Sequence, residues 1–195
     1  MRPQSIPAGL VAVALASPAC AEPHRYELDP AHTTVAFLVD HVGYAAVLGV
    51  FGEVEGGFVY DLDTQTLSDL EVRVGTPSLD TFHAARDAHV RGGDFLDTDA
   101  HPVMTFAAGA GTPEAEDTGT VTGDLTLLGE TRPLTLDVTL NKAGEYPFGH
   151  GRFVLGISAR GALNRSAFGM TYGVADGLVG DEVRLVIETE AMRVE

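Results

Sequence analysis

Leu134-Thr135-Leu136-Asp137-Val138-Thr139-Leu140 alternates aliphatic and polar side chains without interruption. In a strand, successive side chains point to opposite faces, so this stretch reads as a β-strand with one buried and one wetted side. Just upstream, Val121 to Leu127 alternates in the same way. Between the two runs, Leu128-Gly129-Glu130-Thr131 offers a two-residue turn with Gly129 at its first central position, which predicts an antiparallel hairpin closed by a type II′ turn.

Further strands are predicted over Thr33 to Val39, Val50 to Tyr60, Leu70 to Thr76, Val103 to Ala107, Arg152 to Ala159 and Glu182 to Thr189, most of them bounded by Gly, Pro, Asn or Asp. Roughly eight short strands separated by turns point to a sandwich or a barrel. In Leu70-Glu71-Val72-Arg73-Val74 and Val183-Arg184-Leu185-Val186-Ile187 charged residues alternate with aliphatic ones, so one face of these strands meets water. Thr81 to Gly92 lacks this alternation and predicts a short helix, with Ser78 or Asp80 as N-cap and Gly92-Gly93 as its stop. A second helical turn is predicted over Phe95 to Asp99, capped by Asp94 and ended before His101-Pro102. Gly109 to Gly119 reads as a solvent loop.

The chain has 195 residues, 45% of them apolar and 21% charged, the composition of one globular domain. Its 28 acidic residues against 12 Lys and Arg give a formal charge of −16, which repels nucleic acid and argues against it as a partner. Lys142 is the sole lysine. At the N-terminus, Arg2, the apolar stretch from Ile6 to Ala16 and the small residues of Ala19-Cys20-Ala21 form an export pattern. Residues 1–21 are therefore expected to be a signal peptide cleaved after Ala21, leaving residues 22–195 as the domain of an exported protein. Lipidation at Cys20 is the less favoured reading, because Ser17-Pro18-Ala19 lacks the large aliphatic residue usual three positions upstream. From Glu22 onward there is no cysteine, so disulfides are unavailable, and no later apolar run approaches the ~20 residues of a membrane-spanning helix.

Three segments together resemble the YceI-like family of periplasmic lipid-binding proteins: Asp29 to Phe37 leading into His41-Val42-Gly43, Arg86-Asp87-Ala88-His89-Val90-Arg91-Gly92-Gly93-Asp94-Phe95-Leu96-Asp97, and Asn164-Arg165-Ser166-Ala167-Phe168-Gly169-Met170. His101 to Phe106, Gly123 to Gly129 and Gly180-Asp181-Glu182-Val183 follow the same pattern in the same order. The resemblance implies an all-β fold, an extended eight-stranded antiparallel lipocalin-like barrel with one or two short helices. It also implies an interior that takes an isoprenoid lipid, such as a polyprenyl phosphate or a ubiquinone, to carry or sequester it, and it raises a homodimer as the assembly. The chain departs from the pattern at Tyr44-Ala45-Ala46-Val47-Leu48, where the family often has a polar, basic stretch, and at Gly92-Gly93.

An eight-stranded barrel is just wide enough to be filled by its own side chains or to hold one slender ligand. Phe37, Val39, Val50, Phe58, Phe106, Leu125, Leu136 and Phe153 are candidates to line such a cavity; periodicity alone does not separate lining from plain core. At the predicted helix, Arg86 or Arg91 offers a partner for a phosphate and His89 a hydrogen bond for a quinone carbonyl, with Phe95 nearby. The competing reading is an ion-pair network of Arg86 with Asp87 that pins the helix over the barrel mouth. His41 is expected to be a buried, hydrogen-bonded histidine near one end. Gly169 is expected to bend the chain so that Phe168 and Met170 turn inward, with Arg165 either closing the cavity or bonding exposed carbonyls.

No metal and no cofactor are required by this reading. His83 and Asp87, four apart on the helix, with His89, His101 and His41, lack the spacing of an established metal motif. Nor is there a Gly-x-Ser-x-Gly element, a Walker sequence or a dinucleotide glycine fingerprint, so no catalytic residue is assigned. The alternatives are an enzyme or redox accessory acting on a bound quinone or amphipathic substrate, and an interaction protein with a filled interior.

Overall fold

A computed structural model describes residues 22–194. Its strands are β1 (His24–Leu28), β2 (Thr34–His41), β3 (Ala45–Phe51), β4 (Val54–Asp61), β5 (Thr66–Gly75) and β6 (Leu79–Asp80), followed after helix α1 (Ala84–Arg91) by β7 (Val103–Ala108). Then come β8 (Thr112–Pro113), β9 (Thr118–Leu127), β10 (Glu130–Glu145), β11 (Phe153–Asn164) and β12 (Val179–Arg193). Single 3-10 turns occur at Thr76–Ser78 and Arg165–Phe168.

Eight of these strands form a closed antiparallel ring in the order β1-β4-β5-β7-β9-β10-β11-β12, and Tyr26 opposite Arg193 through Leu28 opposite Ala191 bring β12 back to β1. The barrel is extended because β12 is long enough to pair twice. Its last residues hold β1, while Val183 to Glu188 hold β2 through Val39 to Thr34. β1 and β2 thus lie in line along one neighbour, and β3 and β4 do the same beside them.

Local chemistry sets the jog between each collinear pair. At Asp29-Pro30-Ala31-His32, the Asp29 carboxylate accepts from the Ala31 amide at 2.9 Å and pairs with His32 Nδ1 at 2.7 Å, turning the chain before it re-enters the ladder. At Gly52-Glu53, both amides donate to Ser78 Oγ at 3.1 Å while that hydroxyl donates to the Gly75 carbonyl at 2.6 Å. Ser78 therefore ties the β3–β4 jog to the β5–β6 jog, and the single strand expected over Val50 to Tyr60 is broken at this point.

The deciding stretch behaves as read: Leu134 and Leu136 are buried, and Thr135 and Asp137 are exposed. The turn that opens it is shifted by one residue. Leu127 pairs with Glu130, so the central residues are Leu128 and Gly129, at φ of 54° and 77°; two positive values make this type I′, not type II′. Helix α1 begins at Ala84, later than expected, because His83 is the N-cap and its Nδ1 accepts from the Arg86 amide at 3.3 Å. Asp80 instead closes a turn by accepting from the Phe82 amide at 2.7 Å. Residues 95–99 form turns and no second helix, the chain being folded back by bonds from the Phe95 and Asp97 amides to the Gly92 carbonyl at 3.0 Å.

We call upper the end that carries the β2–β3 hairpin, the β9–β10 turn, the β11–β12 connection and α1. The β4–β5 and β10–β11 turns close the lower end. The expected signal peptide, residues 1–21, lies outside the described residues.

Candidate ligand cavity

Two chambers follow one another along the barrel axis. The lower has a volume of about 260 Å³ and the upper about 500 Å³. Val35, Met104, Leu127, Leu163 and Leu185 line both, so the chambers abut at a shared waist. The upper volume falls within the ~300–1,000 Å³ common for ligand sites, and the lower falls just short of it.

The walls are the inward faces of the alternating strands. Phe58, Phe106, Leu125 and Leu136 line the lower chamber, and Phe37 and Val39 the upper. Among the described residues, no lysine, arginine or histidine lines the lower chamber; its carboxylates, Glu116 and Asp117, belong to the loop that closes the lower end. The Thr33 hydroxyl inside it is satisfied, by the Asp29 carbonyl at 2.7 Å and the Thr189 hydroxyl at 2.6 Å.

Basic and imidazole groups are confined to the upper chamber, where His41, Arg86, His89 and Arg165 join the lining with Phe95 and Met170. Arg86 and Asp87 are not an ion pair of their own. Thr81 stands between them: the Asp87 carboxylate accepts from the Thr81 amide at 2.7 Å and also takes the Thr81 hydroxyl, and Arg86 Nε donates to that hydroxyl at 2.8 Å. The Thr81 hydrogen bonds, with smaller help from Arg91 and Arg86, hold the Asp87 carboxyl below the usual carboxylate range. Arg91 donates to the Pro77 carbonyl at 3.0 Å and to that of Leu79. The helix is thus pinned to the segment around β6 by hydrogen bonds through Thr81 and Arg91, in place of the Arg86–Asp87 ion pair expected.

Arg165 is buried and fully engaged with backbone. Its guanidinium donates to the carbonyls of Gly180 at 2.8 Å, Met170 at 2.9 Å, Tyr172 at 2.7 Å and Val179 at 2.9 Å. Burial pushes its pKa down and the nearby Asp181 carboxylate opposes the shift. Of the two roles expected for Arg165, this geometry is that of a corner that fixes the β11–β12 connection.

At the mouth, His89, Phe95 and Tyr172 pack as a triangle of rings with centroids 5.1 to 5.2 Å apart. The Arg165 guanidinium lies 5.6 Å from the Phe95 centroid. His89 also reaches Asp94 at 3.2 Å. Tyr172 was missed by sequence reasoning because it sits in a connection without periodicity. The waist residues Leu163 and Leu185 were open to discovery, since Val183, Leu185 and Ile187 alternate with polar neighbours.

Several expectations are corrected. Val50 is on the outer face, because on β3 the inward positions are Val47, Gly49 and Phe51. Phe153 lies outside the lining, under the Arg193 guanidinium at 5.3 Å. Phe168 is buried in the core and does not reach the channel, whereas Met170, beyond the bend at Gly169 with φ of 90°, does. His41 is exposed at the mouth instead of buried. The histidines and Asp87 considered as metal ligands do not converge: His83 caps α1, Asp87 turns to Thr81 and His89 to Asp94.

Comparison with known proteins gives one family. The model of the YceI-like domain matches residues 26–191. Protein YceI of Escherichia coli is 33% identical over 178 residues, covering 91% of this chain and 91% of that protein. The crystal structure of the Campylobacter jejuni YceI protein superposes with a TM-score of 0.72 at 27% identity, over 80% of this chain and 90% of that one. A polyisoprenoid binding domain from Saccharophagus degradans shares the fold, with a TM-score of 0.60 at 15% identity, over 87% of this chain and 98% of that domain.

Proposed function

The chain belongs to the YceI-like family, and from that premise we propose that it holds one long isoprenoid chain, of a lipid or a quinone, in its channel and carries or sequesters it in the periplasm. The observation that carries this reading is the placement of basic and imidazole groups along the axis: both chambers are walled mainly by apolar side chains, and His41, Arg86 and His89 stand only at the upper one. Such a channel suits an amphipathic molecule whose tail runs down through the waist and whose head stays at the mouth. Lipid binding by the family supports it, as does the polyisoprenoid binding of the Saccharophagus domain.

At ~0.8 kcal/mol per buried CH₂, a tail of tens of carbons has ample driving force before the cost of ordering it. Binding needs no turnover, and the ring nitrogens and guanidinium of the mouth have the donor chemistry to meet a phosphate or carbonyl oxygen. The test is native mass spectrometry of protein purified from its own periplasmic fraction, followed by lipid analysis of what denaturation releases. A stoichiometric isoprenoid supports the reading. Protein empty after gentle purification, and unable to take up ubiquinone or polyprenyl phosphate from detergent micelles, overturns it.

A further inference from the structure

Six exposed apolar side chains gather at the upper end: Tyr44 at 91% exposure, Phe82 at 67%, and Leu48, Leu178, Tyr172 and Val42 at 42 to 44%. Val42 and Tyr44 form the tip of the β2–β3 hairpin, with Leu48 on its outer flank. The Val42 amide donates to the Leu178 carbonyl at 3.0 Å, joining the hairpin tip to the β11–β12 connection that carries Tyr172. Phe82 follows β6, the strand whose Asp80 pairs with Val50 of β3.

Two features set this rim apart from scattered surface hydrophobics. First, Val42, Tyr172 and Leu178 also line the upper chamber, so one apolar surface runs from the channel over the rim into solvent. Second, Val42 and Phe82 hold left-handed backbone, at φ of 52° and 64°, which β-branched and bulky residues rarely adopt. Strain of this kind persists where the surrounding structure enforces it, and here it presents apolar side chains to water at the entrance.

We propose that the rim is a docking surface for a lipid bilayer, seating the mouth directly on the membrane so that the ligand passes between bilayer and channel without crossing water. The inference rests on the isoprenoid reading above: a long apolar tail dissolves in the bilayer, and exposing it to water during transfer forfeits the driving force that holds it at either end. Charge specifies the surface. The chain carries −16; at the upper end Arg86 and Arg91 are engaged by Thr81 and backbone carbonyls and Arg184 faces Asp40 at 3.6 Å, while Asp80 and Asp176 flank the rim and the only lysine, Lys142, lies on β10 away from it. An anionic surface therefore repels it, and a zwitterionic one is the partner, held by apolar insertion.

The test is co-sedimentation with phosphatidylcholine vesicles, comparing the wild type with Tyr44→Ser/Leu48→Ser/Phe82→Ser, whose three positions do not line the channel. The wild type is expected in the vesicle pellet. The variant is expected to partition about tenfold less while keeping its melting temperature and its ubiquinone uptake from detergent micelles. Phosphatidylglycerol in the vesicles is expected to weaken wild-type binding. Wild type that stays in the supernatant, or a variant that binds equally, overturns the proposal. So does vesicle-independent self-association of the wild type that the variant abolishes, because the rim is then an interface between two copies. Uptake from micelles without vesicle binding sinks the rim proposal alone, whereas failure of uptake sinks the isoprenoid reading beneath it.

Discussion

The Phe37 ring occupies the space that a side chain on Gly49 would fill: an ideal Cβ at Gly49 would stand 2.3 Å from Phe37 Cζ. The two residues face each other across the β2–β3 ladder. Gly49→Ala is expected to drive Phe37 out of its position and to cost about 1–3 kcal/mol, the range for overpacking a closed core. Urea unfolding of Gly49→Ala, Phe37→Leu and the double variant checks this. The double variant should recover much of the loss, and additivity would show that the glycine serves something other than the ring.

Strand β3 shows where the sequence stopped being legible. Alternation identified β9, β10 and β12 because aliphatic residues hold most inward positions, Val121, Leu125 and Leu127 on β9 around the inward Gly123, Leu134 to Leu140 on β10, and Val183 to Ile187 on β12. Val50 reads inward on a single strand shared with Phe58, and the break at Gly52-Glu53 puts β3 on the opposite parity, with Val47, Gly49 and Phe51 inward. That break was hidden, since it depends on Ser78, a residue distant in sequence. Arg165 was visible as a corner residue, but which carbonyls it bonds is fixed by a connection with no periodicity. The aromatic triangle at the mouth needed that connection folded before Tyr172 could meet His89 and Phe95.

Arg165 serves four carbonyls, two on the β11–β12 connection and two on β12, with one rigid planar fork, a task a lysine does not match. Each buried carbonyl left without a partner costs about 1–3 kcal/mol, reduced where water enters. Arg165→Ala and Arg165→Lys are both expected to lose about 3 kcal/mol or more in denaturant unfolding. Hydrogen exchange should show residues 169–180 opening first. A variant of native stability that merely releases ligand faster would assign the residue to the ligand instead.

At the β1–β2 jog, His32 hydrogen-bonds Asp29, with Glu190 Oε2 3.8 Å from the same imidazole nitrogen. The Asp29 bond and the Glu190 charge raise His32 above its usual 6.5, and the His32 bond lowers Asp29 below 3.8, with His150 adding a small pull in the same direction. The raised histidine contributes stability that is full below 6.5 and lost as pH rises through its folded value. The lowered carboxylate contributes stability that is full above 3.8 and lost as pH falls through its folded value. The advantage of wild type over His32→Gln in melting temperature should therefore be greatest between about pH 4 and 6.5, and shrink on either side. Because the imidazole is half exposed, added salt should compress the difference. A gap that stays flat from mildly acidic to alkaline pH would mean that charge plays no part in the pair.

Leu163 and Leu185 line both chambers, so a tail that runs from the upper chamber into the lower passes beside them. Leu185→Trp places an indole in that passage without touching the polar residues of the mouth. The substitution overfills the waist and is expected to cost about 1–3 kcal/mol of stability. Its diagnostic effect is on ligand length. A short-chain quinone whose tail ends in the upper chamber should bind the variant as it binds the wild type, whereas a long-chain quinone should lose affinity by an order of magnitude or more, each CH₂ kept from burial forfeiting ~0.8 kcal/mol. Titrating both by intrinsic fluorescence quenching, with unfolding curves run in parallel, separates a plugged channel from a damaged fold. Equal affinity of the long-chain quinone for both proteins would place its tail outside the lower chamber, against the outer wall or along the rim.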